Sequence, residues 1–600
     1  MNVSVSPTIT PLFKPDGSAV AENWMRTFDG TQLFYRSWNS GQSSGKAVIL
    51  FHGGHEHSGR FQDLVDQLAL HDFAVFAWDA RGHGRSPGER GFADHFHDFV
   101  KDADCFLQHV SKNYGIGFGD MLLMGHSVGS VIISAWLQDY ARKVRGVILG
   151  SPAFHVKLYA PFALPALRLM QFFRPDAFVN SYVKPGFLTH DMEEAEARRQ
   201  DRLITPKISV AILTSLFDTA NRVIRNAGSI TTPLFIFSAG SDWVVKRPAQ
   251  EAFFKNLGSK RKALLLFPGF FHEVFHEQDR HLAISQAREF ILSLFKDGDA
   301  EGGAKRPAAE KDCACIAVEP RPGNALARSI RNLGYSLSSL FLKTAGRLSK
   351  GIRLGWQLGF DAGRSLDYVY RNQPEGWSVL GRLMDKIYLN APGWRGIRQR
   401  RVNLQQALGT CINKLHDQQE RVHIMDVAAG PGRLLIETAA ARNDSTLSFT
   451  CRDFSEAEVE AARALATELG VPHVNCELAN AFNPASFEDL AQRPDVVIVS
   501  GLYELFSDNV LVTRSLKAIN NCLNDDGYLI YTNQPHHPQL EQIAGTLINR
   551  DGHPWIMRPR SQTEMRELLA DAGFEIGDMR LDDNGIFAVG VARKANRSGK

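Results

Sequence analysis

The stretch MLLMGHSVGS, residues 121–130, joins a run of apolar residues to a G-x-S-x-G turn that spans Gly125 to Gly129. The segment that follows it, VIISAWLQDY, has the length and apolar character of a helix. A serine on a strained strand-to-helix turn presents its hydroxyl above the edge of a sheet, and small flanking residues let the turn close. The stretch therefore predicts an α/β sheet that carries a nucleophile, Ser127.

The rest of the first half alternates short apolar runs with polar segments of helix length. This alternation predicts a parallel sheet with helices on both faces. Residues 153–230 interrupt this alternation with Pro161, Pro165, Pro175 and Pro185 and with the charged run DMEEAEARRQDR, which predicts a mostly helical cap. The other runs read as strands are KAVILFHGG (46–54), FAVFAWDARG (73–82), VRGVILGSP (144–152), PLFIFSAGSD (233–242) and KALLLFPG (262–269).

A serine nucleophile on this type of sheet needs an acid and then a histidine later in the chain. Asp242 and His272 each follow a predicted strand, at the end of the sheet where such residues meet. His276 is a rival for the histidine, but His272 comes first after its strand. The backbone N–H groups of Gly54 and Val128 are the predicted oxyanion hole, which would hold the charge that develops on a carbonyl oxygen.

The motifs of this half resemble the monoacylglycerol lipase/lysophospholipase branch of the α/β-hydrolase superfamily over roughly residues 20–296. The resemblance implies Ser127 as nucleophile, His272 as general base and acid, and Asp242 as the carboxylate that orients it. It also implies cleavage of acyl esters of a glycerolipid or lysophospholipid. A peptidase or a non-lipid esterase would share the triad and stays open. The motifs are LFHGGHEHSGR, DARGHGRSPGERG, GHSVGS, AGSDWVV and PGFFHEVFHE.

A second glycine turn occurs in MDVAAGPGRLL, residues 425–435, where the alternation of strands and helices returns. Glycines there let the backbone approach a ligand closely. A dinucleotide fingerprint needs a third glycine where Leu435 stands, so a nicotinamide cofactor is disfavoured. The acid that ends the strand, Asp426, suits a cationic ligand with an amino-acid tail. Asp453 ends the next predicted strand, where a carboxylate can bind ribose hydroxyls.

The pattern Asp426-x-Ala428-x-Gly430-x-Gly432 resembles motif I of class I S-adenosylmethionine-dependent methyltransferases, over about residues 420–596. The resemblance implies a Rossmann-like fold and S-adenosylmethionine as cofactor, although Ala428 stands where the family has glycine. A non-catalytic domain that binds this cofactor, or a scaffold, is the alternative. The other residues that the resemblance places at the site are Asn480 and Ala481 against the adenine, and Ser500, Gly501 and Tyr503 at the transfer end. The candidates to take a proton from the acceptor are Tyr503, Glu504, His536 and His537.

The chain is thus predicted to join two enzymes. The predicted order is an α/β-hydrolase domain at 1–295 with its cap at about 153–230, a flexible linker at 296–324, a helical lead-in at 325–420 and a methyltransferase-like domain at 421–600. The linker is polar and rich in Ala, Gly and Pro. The segment DYVYRNQPEGWSVLGRLMDKIYLNAPGWRGIRQRR resembles the lead-in of bacterial methyltransferases that are often fused to this hydrolase type.

Residues 326–360 have apolar and basic positions on opposite faces of a predicted helix. From Arg328 to Arg371 there are eight basic residues and two acidic ones. Such a helix either contacts anionic lipid headgroups, as a peripheral membrane anchor, or packs on its own domain with a solvated basic face.

Composition sets further bounds on the function. A net charge of +3 over 600 residues does not indicate a nucleic-acid partner. Seven scattered cysteines, with Cys313 and Cys315 as the only close pair, predict reduced thiols and no metal site. The N-terminus resembles no signal peptide, and no apolar run reaches the length of a membrane span. These features predict a cytoplasmic protein. The alternative is a cytoplasmic protein that also contacts lipid at a membrane surface.

Overall fold

The computed structural model describes residues 12–13, 19–41, 44–296, 335–336 and 338–595. The chain forms two compact units, Met1–Gly303 and Ala304–Lys600, each with its own sheet. The predicted linker from 297 onward, the thiols Cys313 and Cys315 and the first part of the 326–360 segment lie outside the described residues.

The first unit contains a nine-stranded sheet in the order β1-β2-β3-β5-β4-β6-β7-β10-β11. The pairings from β1 to β5 are antiparallel, and every pairing from β5 to β11 is parallel. The buried central strands are almost wholly apolar, as expected for a sheet covered on both faces. The strands of the sheet are β1 (Leu12–Phe13), β2 (Ala19–Arg26), β3 (Gln32–Trp38), β4 (Lys46–Phe51), β5 (Phe73–Trp78), β6 (Met121–His126), β7 (Gly146–Gly150), β10 (Leu234–Ala239) and β11 (Lys262–Phe267).

The region predicted as a cap contains helices and a short antiparallel ribbon of β8 (Phe178–Asn180) and β9 (Lys207–Ser209). Its last helix packs against the main body, where Arg222 Nη2 donates to Asp139 Oδ2 at 2.8 Å. The helices of this unit are α1 (Gln62–Leu68), α2 (Phe96–Tyr114), α3 (Val128–Tyr140), α4 (Ala163–Phe173), α5 (Met192–Gln200), α6 (Val210–Arg225), α7 (Arg247–Asn256) and α8 (Arg280–Lys296).

The second unit contains a seven-stranded sheet in the order β14-β13-β12-β15-β16-β18-β17. The pairings from β14 to β16 are parallel, and β18 runs antiparallel between β16 and β17. The first strand in sequence is therefore central, so its C-terminal end opens between its neighbours. The strands are β12 (Val422–Asp426), β13 (Leu447–Asp453), β14 (Asn475–Leu478), β15 (Val496–Val499), β16 (Tyr528–Asn533), β17 (Phe574–Leu581) and β18 (Ala588–Lys594).

Short helices precede this sheet, and a buried carboxylate holds three of them together. Asp385 accepts hydrogen bonds from Gly351 N–H at 3.0 Å and from the Tyr368 hydroxyl at 2.6 Å. The helices of the second unit are α9 (Lys350–Leu358), α10 (Gly363–Arg371), α11 (Val379–Leu389), α12 (Pro392–His416), α13 (Arg433–Arg442), α14 (Glu456–Glu468), α15 (Asn509–Cys522), α16 (Leu540–Thr546) and α17 (Gln562–Asp571).

The described part of the 326–360 segment is not one continuous helix, because a 3-10 turn at Ala345–Leu348 separates α9 from the helical residues before it. Ile352 is buried, and the Trp356 ring packs edge-on against Phe360 at 5.6 Å. This part of the apolar face therefore packs within its own unit. Leu340, nearer the start of the segment, is exposed.

Two kinds of feature are absent from the described residues. None of their helices combines the length and apolar character needed to cross a membrane. None of their His, Cys, Asp and Glu side chains form a group of three or more that could hold a metal ion.

Candidate active sites

The turn between β6 and α3 holds Ser127 in an unusual backbone conformation, with φ 50° and ψ −110°. The turn tolerates no side chain at Gly129, because a Cβ there would lie 2.4 Å from the carbonyl oxygen of Phe51. At Gly125 a Cβ would lie 2.7 Å from Ile133 Cδ1. The G-x-S-x-G spacing is thus a packing requirement that fixes where the serine points.

The three side chains predicted as a triad lie in hydrogen-bonding contact. His272 Nε2 is 2.9 Å from Ser127 Oγ, and His272 Nδ1 is 2.8 Å from Asp242 Oδ2. The other oxygen of Asp242 accepts the N–H groups of Val244 and Val245 at 2.7 and 2.9 Å. Burial raises the pKa of Asp242, but His272 and these two N–H groups outweigh it and hold that pKa below its ordinary value. Asp242 is therefore ionised at neutral pH and able to orient the imidazole.

The turn that carries Gly54 lies beside the nucleophile. A Cβ on Gly53 would be 3.4 Å from Ser127 Cβ, and a Cβ on Gly54 would be 3.3 Å from Val128 Cγ2. Val128 is the first residue of α3, so its N–H points out of the positive end of that helix. The two predicted oxyanion-hole segments are thus adjacent to each other and to Ser127.

The rival histidine is bonded elsewhere. His276 Nε2 donates to the carbonyl oxygen of Arg60 at 3.0 Å, whereas His272 reaches the serine. His52 and His83 donate through Nδ1 to the carbonyls of Gly53 and Arg81.

A buried ionic cluster behind the triad gave no signal in the sequence. Arg198, on cap helix α5, bonds through Nη1 to both Glu56 and Glu273, which precede and follow it by 142 and 75 residues. Both carboxylates are almost wholly buried, at 3% and 2% exposure. The cluster ties the cap to the residue that follows His272.

His126 extends this cluster to the triad. Its Nε2 donates to the carbonyl oxygen of His272 at 3.1 Å, and its Nδ1 faces Glu56 Oε2 at 3.8 Å. Burial alone lowers the pKa of His126, but Glu56, Glu273 and the His272 carbonyl raise it above its ordinary value. Glu56 Oε2 also accepts the Gly53 N–H at 2.9 Å, so the cluster supports the oxyanion turn as well.

The second unit contains a cavity of about 770 Å³ at the C-terminal ends of its parallel strands. The cavity brings together seven of the eight cofactor residues predicted from the sequence. They are Asp426, Ala428, Gly430, Asp453, Asn480, Ala481 and Ser500.

Gly432 does not line the cavity, which corrects its assignment as a residue that contacts the cofactor. It has φ +66° at the start of α13, and a Cβ there would lie 2.9 Å from Ile436 Cδ1 and 3.0 Å from Cys451 Sγ. Its role is to let the turn close and the helix pack on the sheet.

The two acids at the strand ends have different environments. Burial raises the pKa of Asp426 to about 7; the Ala428 N–H opposes this shift, and the nearby Asp453 adds to it. Asp453 instead accepts two backbone N–H groups, from Gly430 at 2.9 Å and from Ser455 at 3.0 Å. A cation beside Asp426 would remove the cost of its burial, so the pair suits a ligand with a positive charge and neighbouring hydroxyls.

Comparison with known proteins assigns both units. Residues 287–594 match the family model described as "Putative methyltransferase", and residues 42–279 match "Serine aminopeptidase, S33". The "Uncharacterized protein YnbC" of Escherichia coli (strain K12) is 43% identical over 577 residues, which is 95% of this chain and 98% of that protein. The chain belongs to this methyltransferase family.

The hydrolase half of this family member has relatives of its own. Human monoglyceride lipase is 28% identical over 283 residues, which is 46% of this chain and 92% of that protein. The crystal structure of Paleococcus ferrophilus monoacylglycerol lipase covers 44% of this chain and 99% of its own, with 25% identity and a TM-score of 0.40. The N-terminal half is related to the monoglyceride lipase branch of the α/β-hydrolases, and the predicted fold class of both halves is confirmed.

One of the residues predicted at the transfer end of this cavity lies elsewhere. Tyr503 does not line it, and its hydroxyl bonds to Ser515 Oγ at 3.0 Å inside the core. Burial raises the pKa of Tyr503 far above its ordinary value, so it is a poor base. Its neighbour Glu504 lines the cavity instead.

Of the two candidate histidines, His537 lines the cavity and His536 does not. His537 Nδ1 accepts the Gln539 N–H at 3.1 Å, so the ring proton of the neutral form is on Nε2. Burial lowers the pKa of His537 to about 4, so the neutral form is the one present at pH 7. His537 is therefore a hydrogen-bond donor, which leaves Glu504 as the candidate base.

Proposed function

We propose that the N-terminal unit hydrolyses acyl esters of the monoacylglycerol or lysophospholipid class through an acyl-Ser127 intermediate. The contact chain from Ser127 through His272 to Asp242 carries this proposal. His272 takes the Ser127 proton as the oxygen attacks the ester carbonyl and then returns it to the leaving alcohol. The N–H groups of Gly54 and Val128 stabilise the oxyanion.

The cap supports a lipid substrate. Phe162, Phe172 and Phe173, which lie in or next to α4, are exposed at 84%, 73% and 73%. Such a concentration of exposed aromatic side chains is typical of a surface that contacts lipid or a partner. A lipid ester would meet these rings as it approaches the triad.

The family description "Serine aminopeptidase, S33" raises a peptidase as the second candidate function. An aminopeptidase needs a carboxylate free to bind the α-amino group of its substrate. The two buried carboxylates behind the triad, Glu56 and Glu273, are both bonded to Arg198, and both also lie within 4 Å of the Arg60 guanidinium. This pairing favours the ester substrate.

A substrate panel tests this half. Purified full-length protein would be assayed on monoacylglycerols, lysophospholipids, short acyl esters and aminoacyl amides. We expect ester turnover that is lost in Ser127→Ala and kept in Ser285→Ala, a change at an exposed serine of α8. Amide turnover without ester turnover would overturn the assignment.

We also propose that the C-terminal unit binds S-adenosylmethionine and transfers its methyl group. The buried Asp426, whose pKa lies near 7, is the observation that carries this proposal. It would pair with the amino group of the methionine part, while Asp453 would accept the ribose hydroxyls. Asn480 and Ala481 would face the adenine. The cofactor supplies an already activated methyl group, so the chain mainly positions the reactants and excludes water.

Calorimetric titration of S-adenosylmethionine into the full-length protein tests this half. We expect saturable binding that Asp426→Ala abolishes and Asp525→Asn leaves unchanged, since the Asp525 side chain is 93% exposed. Absence of binding to the wild-type protein would reject the proposal. Binding without transfer to any acceptor would support the alternative of a ligand-binding scaffold.

A further inference from the structure

The cavity extends beyond the proposed cofactor site into a second region, the acceptor chamber, whose walls are Trp394, Ile397, Trp555, Met557 and Phe587. If the unit is the methyltransferase proposed above, this chamber holds the methyl acceptor. We propose that the acceptor is an uncharged hydroxyl group on an apolar body, and that Glu504 takes its proton.

The walls of the chamber require an apolar body. All five wall residues are buried, with 4 to 7% of their surface exposed. The rings of Trp394 and Trp555 stack with centroids 6.0 Å apart. Aromatic and aliphatic walls of this kind bind apolar ligands, and a few polar groups set their orientation.

Five side chains that line the same cavity have atoms with no hydrogen-bond partner. The atoms are Nε1 of Trp555, Oε2 of Glu458, both amide atoms of Gln534, Oε2 of Glu504 and Nε of Arg400. Gln534, Glu504 and Arg400 are 2%, 7% and 5% exposed. A buried polar group without a partner destabilises the protein, so groups like these indicate a ligand that completes them.

Glu504 is held so that one oxygen is free. Arg400 Nη1 donates to its Oε1 at 3.3 Å, which leaves Oε2 unpaired. A Cβ on Gly501 would lie 3.2 Å from Arg400 Nη2, so the guanidinium lies just after the end of β15, where Ser500 also lines the cavity. The Arg558 N–H donates to the Glu504 carbonyl at 2.8 Å and fixes its backbone.

The hydrogen-bonding groups match a hydroxyl better than an amine. Arg400 Nε, Gln534 Nε2 and His537 Nε2 are donors that line the cavity. The unpaired acceptors are Gln534 Oε1, Glu458 Oε2 and Glu504 Oε2, and Glu504 is the one that Arg400 holds. A hydroxyl donates its proton to the carboxylate and accepts from one donor, and a lone pair still remains to attack. A neutral amine has a single lone pair, which cannot both accept a hydrogen bond and attack.

Charge disfavours a carboxylate acceptor. The buried acids of the cavity include Asp426, Asp453 and Glu504, and Arg400 is the buried cation beside them. Asp361, also buried, is paired with Arg550. A bound sulfonium cofactor adds one net positive charge. Three carboxylates therefore face two positive charges, and an anionic acceptor would add uncompensated negative charge in a buried site.

The transfer step balances without another reactant. The hydroxyl oxygen forms its bond to the methyl carbon as the sulfur–carbon bond of the sulfonium donor breaks, and the sulfur keeps the bonding electron pair. The hydroxyl proton passes to Glu504 Oε2. The products are a methyl ether, a thioether and a protonated carboxyl, which releases its proton to solvent.

The chemical class of the product tests the proposal. Full-length protein that has first been shown to bind S-adenosylmethionine would be incubated with the methyl-labelled cofactor and an organic-solvent extract of bacterial cells. We expect the label in an uncharged product that survives mild alkali, as an ether does. Label released as methanol marks a methyl ester, and label in a cationic product marks an amine. Either result, or no labelled product, would overturn the proposal.

Two variants separate Glu504 from a structural effect. Glu504→Gln should lower label transfer by about 10²–10⁴-fold, the usual contribution of a general base, and keep cofactor binding. Glu420→Gln, at an exposed position, is the matched control. Transfer at the wild-type rate in Glu504→Gln would reject Glu504 as the base. Failure of the wild-type protein to bind S-adenosylmethionine would instead reject the proposed function itself.

Binding gives a readout that does not depend on turnover. Dodecanol and dodecanoate would be titrated into the full-length protein with S-adenosylhomocysteine present. We expect dodecanol to bind at least about tenfold more tightly than dodecanoate, which corresponds to 1.4 kcal/mol. The preference should narrow in Glu504→Gln, which removes one of the buried negative charges, and disappear in Ile397→Trp, which fills the chamber. A preference that persists in Ile397→Trp would place the alcohol elsewhere and overturn the assignment of the chamber.

Discussion

The N–H of Gly430 donates to Oδ2 of Asp453 at 2.9 Å. This bond ties the glycine turn after β12 to the acid at the end of the neighbouring strand β13. The turn and the carboxylate therefore form one unit, in which Asp453 both shapes the backbone and presents its charge to the cavity.

We predict different effects for two changes at Asp453. Asparagine keeps an acceptor for the Gly430 N–H but loses the charge, whereas alanine loses both. Asp453→Asn should weaken S-adenosylmethionine binding by about tenfold and Asp453→Ala by about a hundredfold, since hydrogen bonds to charged groups are worth about 1.5–3 kcal/mol. Calorimetric titration measures the affinity of both variants for S-adenosylmethionine, with Asp525→Asn as control. Wild-type affinity in the alanine variant would exclude contact with the ligand.

We predict that Asp426 destabilises the ligand-free protein at neutral and alkaline pH. Its pKa is raised from 3.8 to about 7, so its contribution to stability is complete below pH 3.8 and is lost as the pH rises through 7. Asp426→Asn should therefore be more stable than wild type at pH 8, by up to about 4 kcal/mol, with no gain at pH 4.

Scanning calorimetry of the full-length protein at both pH values would measure this difference. The transition of the second unit is the one that S-adenosylmethionine shifts upward in the wild-type protein. That ligand-induced shift should be absent in Asp426→Asn. A lower transition temperature for the variant at pH 8 would contradict the expected sign.

We predict that Arg198→Met destabilises the first unit by about 3 kcal/mol, because it leaves two buried carboxylates, Glu56 and Glu273, with Arg60 as the remaining arginine within 4 Å. Arg199→Met is the matched control, since the neighbouring Arg199 side chain is 62% exposed. The shift in the unfolding temperature of the first unit, measured by scanning calorimetry together with ester turnover, would measure the effect. Restoration of stability by adding Glu56→Gln and Glu273→Gln would assign the loss to unpaired charge. Equal stability of the two arginine variants would show that the cluster contributes nothing.

We predict that Asp242→Asn lowers kcat for ester hydrolysis by about 10⁴-fold, with little change in KM. The amide cannot stabilise the imidazolium and permits the wrong tautomer of His272. Asp94→Asn, at an exposed position, is the control. Steady-state kinetics on a soluble ester measures the change, and thermal unfolding checks that the variant is folded. A loss of less than tenfold would remove Asp242 from the triad.

The residues that could be predicted from the sequence are those fixed by local pattern and chain order. Ser127, Asp242 and His272 each follow an apolar run, and parallel strands bring such positions to one edge of the sheet. The same rule placed Asp426 and Asp453 at one cavity. Arg198 carried no such signal, because its partners are separated from it by 75 residues or more and lie on other elements.

Two predictions at the second site depended on which way a residue faces. Tyr503 and Glu504 are adjacent in a 3-10 turn, Tyr503–Leu505, that directs one into the core and the other into the cavity. Gly432 belongs to the same motif as Gly430, yet it packs against Cys451 rather than lining the cavity. A sequence pattern gives the order of residues on a turn but not the direction of each one.

The sequence by itself determined that this chain carries two α/β units, a serine nucleophile turn and a glycine turn with two acids. Those features follow from short-range periodicity and steric limits, which act between residues near each other in the chain. The tertiary structure alone decided that Arg198 bonds to two buried carboxylates behind the triad. It also decided that Arg400 leaves one Glu504 oxygen free and that apolar walls close around it. These facts depend on burial and charge compensation between distant segments, which exist only once the chain is packed.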